Sequence, residues 1–155
     1  MDTHRIETGD WPSVSARIAA LIAGEDDAIA KMATIACELR QGFSRFHWVG
    51  FYRVVAPQVL KIGPYQGGHG CLVIPFSRGV CGAAARSRKT LIVPDVEKFP
   101  DHIACSATTR SELVAPVFAG GELIGVLDID SNDLDAFSND DRTALEAILR
   151  DAFDR

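Results

Sequence analysis

No apolar run in this chain approaches the ~20 residues that a membrane helix needs, and positive charge is in short supply. Sixteen Lys and Arg stand against 21 Asp and Glu, for a formal net charge of -5. The first absence argues against a membrane location. The second leaves no basic stripe of the kind a phosphate backbone attracts, so nucleic acid is not an expected partner. Low-complexity tracts and fixed-period repeats are also missing, which excludes disordered and solenoid classes. The first residues, MDTHRIETGDWPS, are too polar for a secretion signal. A cytoplasmic location is therefore expected, where thiols are normally kept reduced. Zinc sites typically draw on close C-x2-4-C pairs, and none is present. Among Cys71, Cys81, Cys105 and His102 the only short spacing is His102 to Cys105, so no metal is expected.

What remains is an ordinary globular composition, 47% hydrophobic and 24% charged over 155 residues, enough for one core. Ser13 to Ala23 has helical periodicity with Ser13 as N-cap. Asp26 or Asp27 can cap a second helix to about Gln41, whose stripe includes Ile29, Met32, Ala33, Ala36, Cys37 and Leu39. Cys37 is thereby expected in the core. The run FSRFHWVGFYRVV, beginning at Phe43, reads as a strand with Gly50 at a bulge. Short strands follow at Val59 to Ile62 and Leu72 to Phe76, then a small helix at Val80 to Arg86 and a strand at Thr90 to Val93. Residues 94–111 have no clear period, and Glu112 to Phe118 and Glu122 to Ile129 flank a tight turn at Gly120-Gly121. Ser138 caps a last helix. The order implies an α+β domain over 1–155: helices in 1–41, an antiparallel sheet with its loops in 42–137, and a closing helix in 138–155. Terminal helices should pack on one sheet face, with the small helix and long loop covering a pocket.

Several residues have types and positions suited to chemistry. Strand parity puts Leu123, Gly125, Leu127 and Ile129 on one face and Ile124, Val126, Asp128 and Asp130 on the other. The two carboxylates either emerge into solvent, with Asp130 capping the turn that follows, or form an acidic wall with at least one raised pKa. Cys105 lies in the long loop, where reactive groups tend to sit, although an inert partly buried thiol is the alternative. Cys81 stands at the start of the small helix, where a helix N-terminus favours a thiolate, or it simply fills the core. Cys71, beside a Gly-rich turn, reads as core on its own. Trp48 and Tyr52 share a strand face, either as core or as one wall of a small-molecule pocket.

Taken together, the stretches HWVGFY, LKIGPYQG, CLVIPFSRGVCG, VPDVEKFPDHIACSATTRSELVAPV and GELIGVLDIDS, with the following FSNDD, resemble the free methionine-(R)-sulfoxide reductases, which are single GAF domains. GELIGVLDIDS alone resembles GAF domains in general. The cysteines within GPYQG-x3-C, RGVCG and HIAC carry the resemblance to the reductase branch. The chain departs from the pattern at Tyr65, where Phe is common. The resemblance implies that Cys105 is the nucleophile, Cys71 the main resolving thiol and Cys81 an auxiliary one. It places Trp48, Tyr52, Glu112, Asp128 and Asp130 around the substrate. It implies free methionine sulfoxide as substrate, no bound cofactor, and a thioredoxin-type reductant as electron donor. It also admits a homodimer.

Sulfoxide chemistry suits such a site. Thiolate attack at sulfur leaves negative charge developing on oxygen, which a neutral carboxylic acid nearby can protonate. Ionised carboxylates would instead disfavour the Cys105 thiolate, and Arg110 is the nearest candidate cation in sequence. The competing reading is a GAF module that binds a small ligand without turning it over. That reading accounts for the pocket but leaves three cysteines outside the core without a role.

Overall fold

Asp10, rather than Ser13, begins the first helix in the computed structural model, which describes residues 9–154. Its carboxylate accepts from the Ser13 backbone N–H at 3.2 Å, with Pro12 in the first turn, where its missing N–H costs nothing. Helix α1 spans Trp11–Leu21 and α2 spans Ala28–Gly42, the latter capped by Asp27. The buried stripe of α2 is Met32, Ile35, Ala36 and Leu39. Ile29 and Ala33 face solvent, and Cys37 sits at the margin, half-buried, accepting from Gln41 Nε2 at 3.4 Å. The expected stripe was rotated by about one position, because Ile35 and not Cys37 continues the helical repeat from Met32.

Phe43 and Phe46 do not start a strand. They lie in the turn after α2, and with Trp11 they form an aromatic cluster with centroid separations of 4.4 Å and 4.7 Å along the Trp11–Phe43–Phe46 chain. The strands are β1 (Trp48–Ala56), β2 (Val59–Gln66), β3 (Val73–Pro75), β4 (Leu91–Val93), β5 (Ser111–Ala119) and β6 (Glu122–Ser131). Helix α3 (Gly79–Ser87) joins β3 to β4, a 3-10 turn (Val96–Lys98) interrupts the long loop, and α4 (Asn139–Phe153) closes the chain. All strands pair antiparallel in one sheet ordered β3-β2-β1-β6-β5-β4, the expected α+β architecture.

Strand parity divides the sheet into two faces. Val49, Phe51, Leu113, Ala115, Val117, Leu127 and Ile129 share one core with α1, α2 and α4. Tyr52, Val114 and Val126 face the other way, against Val80, Cys81, Ala84 and Ala85 of α3. The expected parity of β6 fails at its start. A register shift between Val117 and Phe118 leaves Ile124 unpaired, so Ile124 packs on the helix core and Leu123 on the α3 side. A second shift lies between Gly50 and Tyr52, next to the expected bulge. Gly120 and Gly121, with φ of 58° and 81°, form the two-residue turn between β5 and β6.

One buried carboxylate ties α1 and α4 to the turn before β1. Asp141 of α4 accepts two bonds from the Arg45 guanidinium at 2.7 Å each, one from Trp11 Nε1 at 2.9 Å and one from the Ser138 N–H at 2.8 Å. The last of these completes a capping box at the α4 N-terminus. These donors hold its pKa below the ordinary value against the opposing effect of burial. A depressed carboxyl pKa stabilises the fold above the unfolded-state value, and that contribution is lost as pH falls through the folded-state value. Asp141→Asn is expected to lose about 2–3 kcal/mol in urea denaturation at pH 7, since it strands the Arg45 charge. The deficit should shrink at acid pH. An unchanged denaturation midpoint would show that this network contributes nothing.

Candidate active site

Register between β1, β6 and β5 builds the floor of the site. Asp130 on the central strand stands opposite Trp48 on one side and Glu112 on the other. Two residues along, Asp128 stands opposite Gly50 and Val114. Tyr52 follows on the same face of β1. Helix α3 lies over this row and brings Cys81, while the loop after β4 brings His102 and Cys105. Trp48, Tyr52, Cys81, His102, Cys105, Glu112, Asp128 and Asp130 line one cavity with about 40 Å³ of free space, enough for a few waters.

The cavity is acidic, and among the described residues no lysine or arginine stands in its wall. Cys81 Sγ and one oxygen each of Glu112 and Asp128 lie within 4.8 Å of one another. Burial, with the Asp130 charge adding to it, pushes Glu112 up to about 8. Asp128 and Asp130 are raised well above the carboxylate range, again by burial first and then by their neighbours. The acidic wall is therefore largely protonated near neutral pH, as an unpaired buried carboxyl must be. One oxygen each of Asp128 and Asp130 is buried with no hydrogen-bond partner. Burial and Asp128 likewise raise the Cys81 thiol, which hydrogen-bonds Asp128, and burial also keeps the Tyr52 hydroxyl protonated. His102, lowered by burial, sits with Nε2 3.6 Å from Glu112.

Aromatic rings form the outer wall. Trp48 stacks on Tyr65 at 5.4 Å and on Tyr52 at 6.1 Å, and its indole N–H donates to the Gly68 carbonyl at 2.7 Å. Gly70 must be small here, because a Cβ would stand 2.9 Å from the Trp48 ring and 3.0 Å from the Tyr52 hydroxyl. Helix α3 opens at Gly79, in the left-handed region at φ 70°, and no side chain caps its first turn. The Gly79 N–H is taken up by the Asp101 carbonyl, and the N–H groups that follow it in the first turn form a candidate anion site at the cavity wall.

Cys71, just before β3, is joined by a disulfide to Cys105, with Cα atoms 5.4 Å apart. Cys81 and Cys37 are free, the former buried. The Cys105 loop is tied at both ends, by Gly79 N–H to the Asp101 carbonyl at 3.1 Å and by Arg110 N–H to the Ser131 carbonyl at 2.8 Å. The expected residues Cys105, Cys81, Trp48, Tyr52, Glu112, Asp128 and Asp130 all line the cavity, and Cys71 reaches it through the disulfide. Arg110, the candidate cation by sequence proximity, is exposed and is not among the residues that line the cavity. His102, a possible metal ligand by residue type, is a wall residue that sequence reasoning does not place at the site. Its spacing of three before Cys105, within the same loop, was the available signal of its place in the wall.

The chain matches the GAF domain family model over residues 23–152. It is 47% identical over 134 residues to GAF domain-containing protein A of Dictyostelium discoideum, covering 86% of this chain and 84% of that one. It is 38% identical over 130 residues to the free methionine-R-sulfoxide reductase of Escherichia coli, covering 84% and 78% respectively. The solved structure of the free methionine-R-sulfoxide reductase from Neisseria meningitidis, in complex with its substrate, superposes with a TM-score of 0.87. It is 42% identical and covers 92% of this chain and 86% of that one.

A raised carboxyl pKa gives a signed stability prediction. Between the ordinary Glu value of 4.5 and about 8, the folded state holds a proton on Glu112 that the unfolded chain has released. Stability should therefore fall as pH rises through that window, by up to about 1.4 kcal/mol per unit for each such group, and level off above it. Glu112→Gln is expected to flatten this slope in urea midpoints taken from pH 5 to 8. A slope unchanged from the unaltered protein would show that Glu112 is ionised in the fold.

Proposed function

We propose that this chain, which belongs to the free methionine-R-sulfoxide reductases of the GAF domain family, reduces free L-methionine (R)-sulfoxide by attack of Cys105 on the sulfoxide sulfur. The observation that carries this reading is the Cys71–Cys105 disulfide at a cavity lined by buried, protonated carboxyls. A nucleophile and a proton source thus meet in one recess.

In the reduced protein the Cys105 thiolate bonds to the sulfoxide sulfur while a neutral carboxyl protonates the sulfoxide oxygen, and the resulting hydroxyl passes to Cys105 as the bond between the two sulfurs breaks. Glu112 is best matched to the task, since its pKa of about 8 leaves it protonated yet able to release the proton near neutral pH. Neutral carboxyls also place no negative charge beside the thiolate, which removes the repulsion an ionised wall would impose. Methionine leaves, and Cys105 is now a sulfenic acid. Cys71 attacks it, water departs, and the disulfide forms. A dithiol reductant of the thioredoxin type then restores both thiols. Cys81, held protonated and hydrogen-bonded to Asp128, serves here as a wall residue and a reserve thiol.

The substrate's ammonium supplies the cation this wall lacks. Its arrival favours ionisation of Asp128 or Asp130, each with one buried oxygen free to accept. The substrate carboxylate meets the uncapped N-terminus of α3, and Trp48 and Tyr52 hold its thioether chain. Gripping both termini of an amino acid favours the free molecule over a peptide residue.

Replacing Glu112 or Asp128 by the neutral amide should lower turnover about 10²-fold or more, and the activity of the unaltered enzyme should decline above about pH 8 as Glu112 ionises. Full activity in both variants would remove the carboxyls from the mechanism. Single-turnover assays without reductant separate the two cysteines. Cys105→Ser should form no methionine at all. Cys71→Ser should release about one per site and leave a sulfenic acid that dimedone traps. Reversal of these outcomes would exchange the two roles, and a protein that only binds would form methionine in neither.

A further inference from the structure

Attack by Cys105 needs its thiol ionised, and among the described residues no lysine or arginine lines the cavity to favour that. The titratable groups that do line it are Tyr52 of β1, His69 between β2 and β3, Cys81 of α3, His102 and Cys105 of the long loop, Glu112 of β5, and Asp128 and Asp130 of β6. Burial holds the three carboxyls, the Cys81 thiol and the Tyr52 hydroxyl in their protonated forms, so none of them accepts a proton from Cys105 near neutral pH. Two imidazoles remain. His69 is exposed, whereas His102 is turned inward, its side chain 17% exposed.

His102 lies between the acid and the nucleophile. Its Nε2 stands 3.6 Å from a Glu112 oxygen, a few tenths of an ångström outside hydrogen-bond range, a gap of the size that closes when a substrate settles in a site. Cys105 follows three residues later in the same loop. The His102 N–H bonds to the Phe99 carbonyl at 3.4 Å and the Cys105 N–H to the Ile103 carbonyl at 3.1 Å, and both side chains reach the one recess. With about 40 Å³ of free space there, a proton leaving the Cys105 sulfur has a few waters at most to cross. Burial holds the His102 pKa below its ordinary value, so the ring is neutral at pH 7 and able to take up a proton.

We propose that His102 is the proton relay of the reaction, taking the proton of the Cys105 thiol and returning one to Glu112. This rests on the reductase reading above and adds to it the origin of the thiolate. Cys105 first passes its proton to His102, which leaves a thiolate and an imidazolium. The thiolate bonds to the sulfoxide sulfur as Glu112 protonates the oxygen. The hydroxyl passes to Cys105 as the bond between the two sulfurs breaks, giving methionine and a sulfenic acid. The Glu112 carboxylate, now beside an imidazolium, takes the proton from Nε2. Both groups are back in their starting states without a proton from solvent. The substrate sulfur has gained two electrons and the Cys105 sulfur has lost two.

The test follows methionine formed from free methionine sulfoxide and dithiothreitol by the full-length protein across pH 5 to 9. His102→Gln keeps a polar side chain beside Glu112 that cannot carry a proton, and it should lose about 10²-fold in kcat/KM at pH 7. The pH profile separates a relay from a scaffold. The unaltered protein should lose activity on the acid side below pH 6.5, as His102 takes up its proton, and on the alkaline side above about 8, as Glu112 ionises. In His102→Gln the acid limb should vanish and the rate should rise with pH until Glu112 ionises, because the thiolate then forms only by losing its proton to solvent. Should His102→Gln fail to fold, as urea denaturation would reveal, His102→Asn takes its place. A variant with near-normal kcat/KM, or one that is slower at every pH yet keeps the acid limb, would overturn the relay and leave the reductase reading standing. Absence of methionine formation by the unaltered protein would overturn both.

Discussion

Strand β6 is hydrogen-bonded on both sides, to β1 and to β5, and the carboxyls and aromatic rings of the site floor take their positions from that register. Asp128 and Asp130 point toward α3 while Leu127 and Ile129 point into the helix core. Because side chains alternate, a slip of one residue would drive both carboxyls into the apolar face and expose Leu127 and Ile129. The large core formed with α1, α2 and α4 therefore specifies the position of the catalytic groups, even though none of those helices touches the cavity wall. The Ile124 bulge resets the count near the hairpin, so that the turn and the site each have their own parity.

The same register brings Asp130 opposite Glu112 and leaves Asp128 two residues away. Three carboxyls and a thiol share a buried space in whose wall, among the described residues, no lysine or arginine stands. Elsewhere in the chain a buried carboxyl is satisfied in the opposite way: Asp141 is ringed by four donors and stays charged. The contrast separates two uses of burial. With donors present, burial makes an anion structural; without them, it makes an acid that keeps its proton and can give it up.

Much of this was legible in the residues, and the failures have definite causes. The alternation in GELIGVLDIDS placed Asp128 and Asp130 together because a strand has only two faces. It misplaced Leu123 and Ile124 because the bulge arises from pairing with β5, which one strand's pattern does not contain. Asp10 caps the first helix where Ser13 is the expected cap, because Pro12 fits inside the first turn and does not have to precede it. Cys37 and Ile35 are two apart in a helix whose apolar stripe is broad, so periodicity alone left the margin ambiguous. Aromatic content suggested a strand at Phe43 and Phe46, whereas tertiary packing against Trp11 uses both in a turn. Pairing of Cys71 with Cys105 came from the family resemblance and not from spacing, because no local rule joins residues 34 apart.

That separation means the catalytic bond is also a staple. It encloses β3, α3, β4 and the 3-10 turn in one covalent loop whose two cysteines stand 34 apart in sequence. Closing a loop of that length restricts the unfolded chain by ~4 kcal/mol on the chain-entropy account. On the mechanism proposed above, the protein alternates between a stapled and an unstapled form on every cycle. Its resistance to heat is then a property of the surrounding thiol pool as much as of its own sequence: when reductant runs short, the protein accumulates in its more durable form.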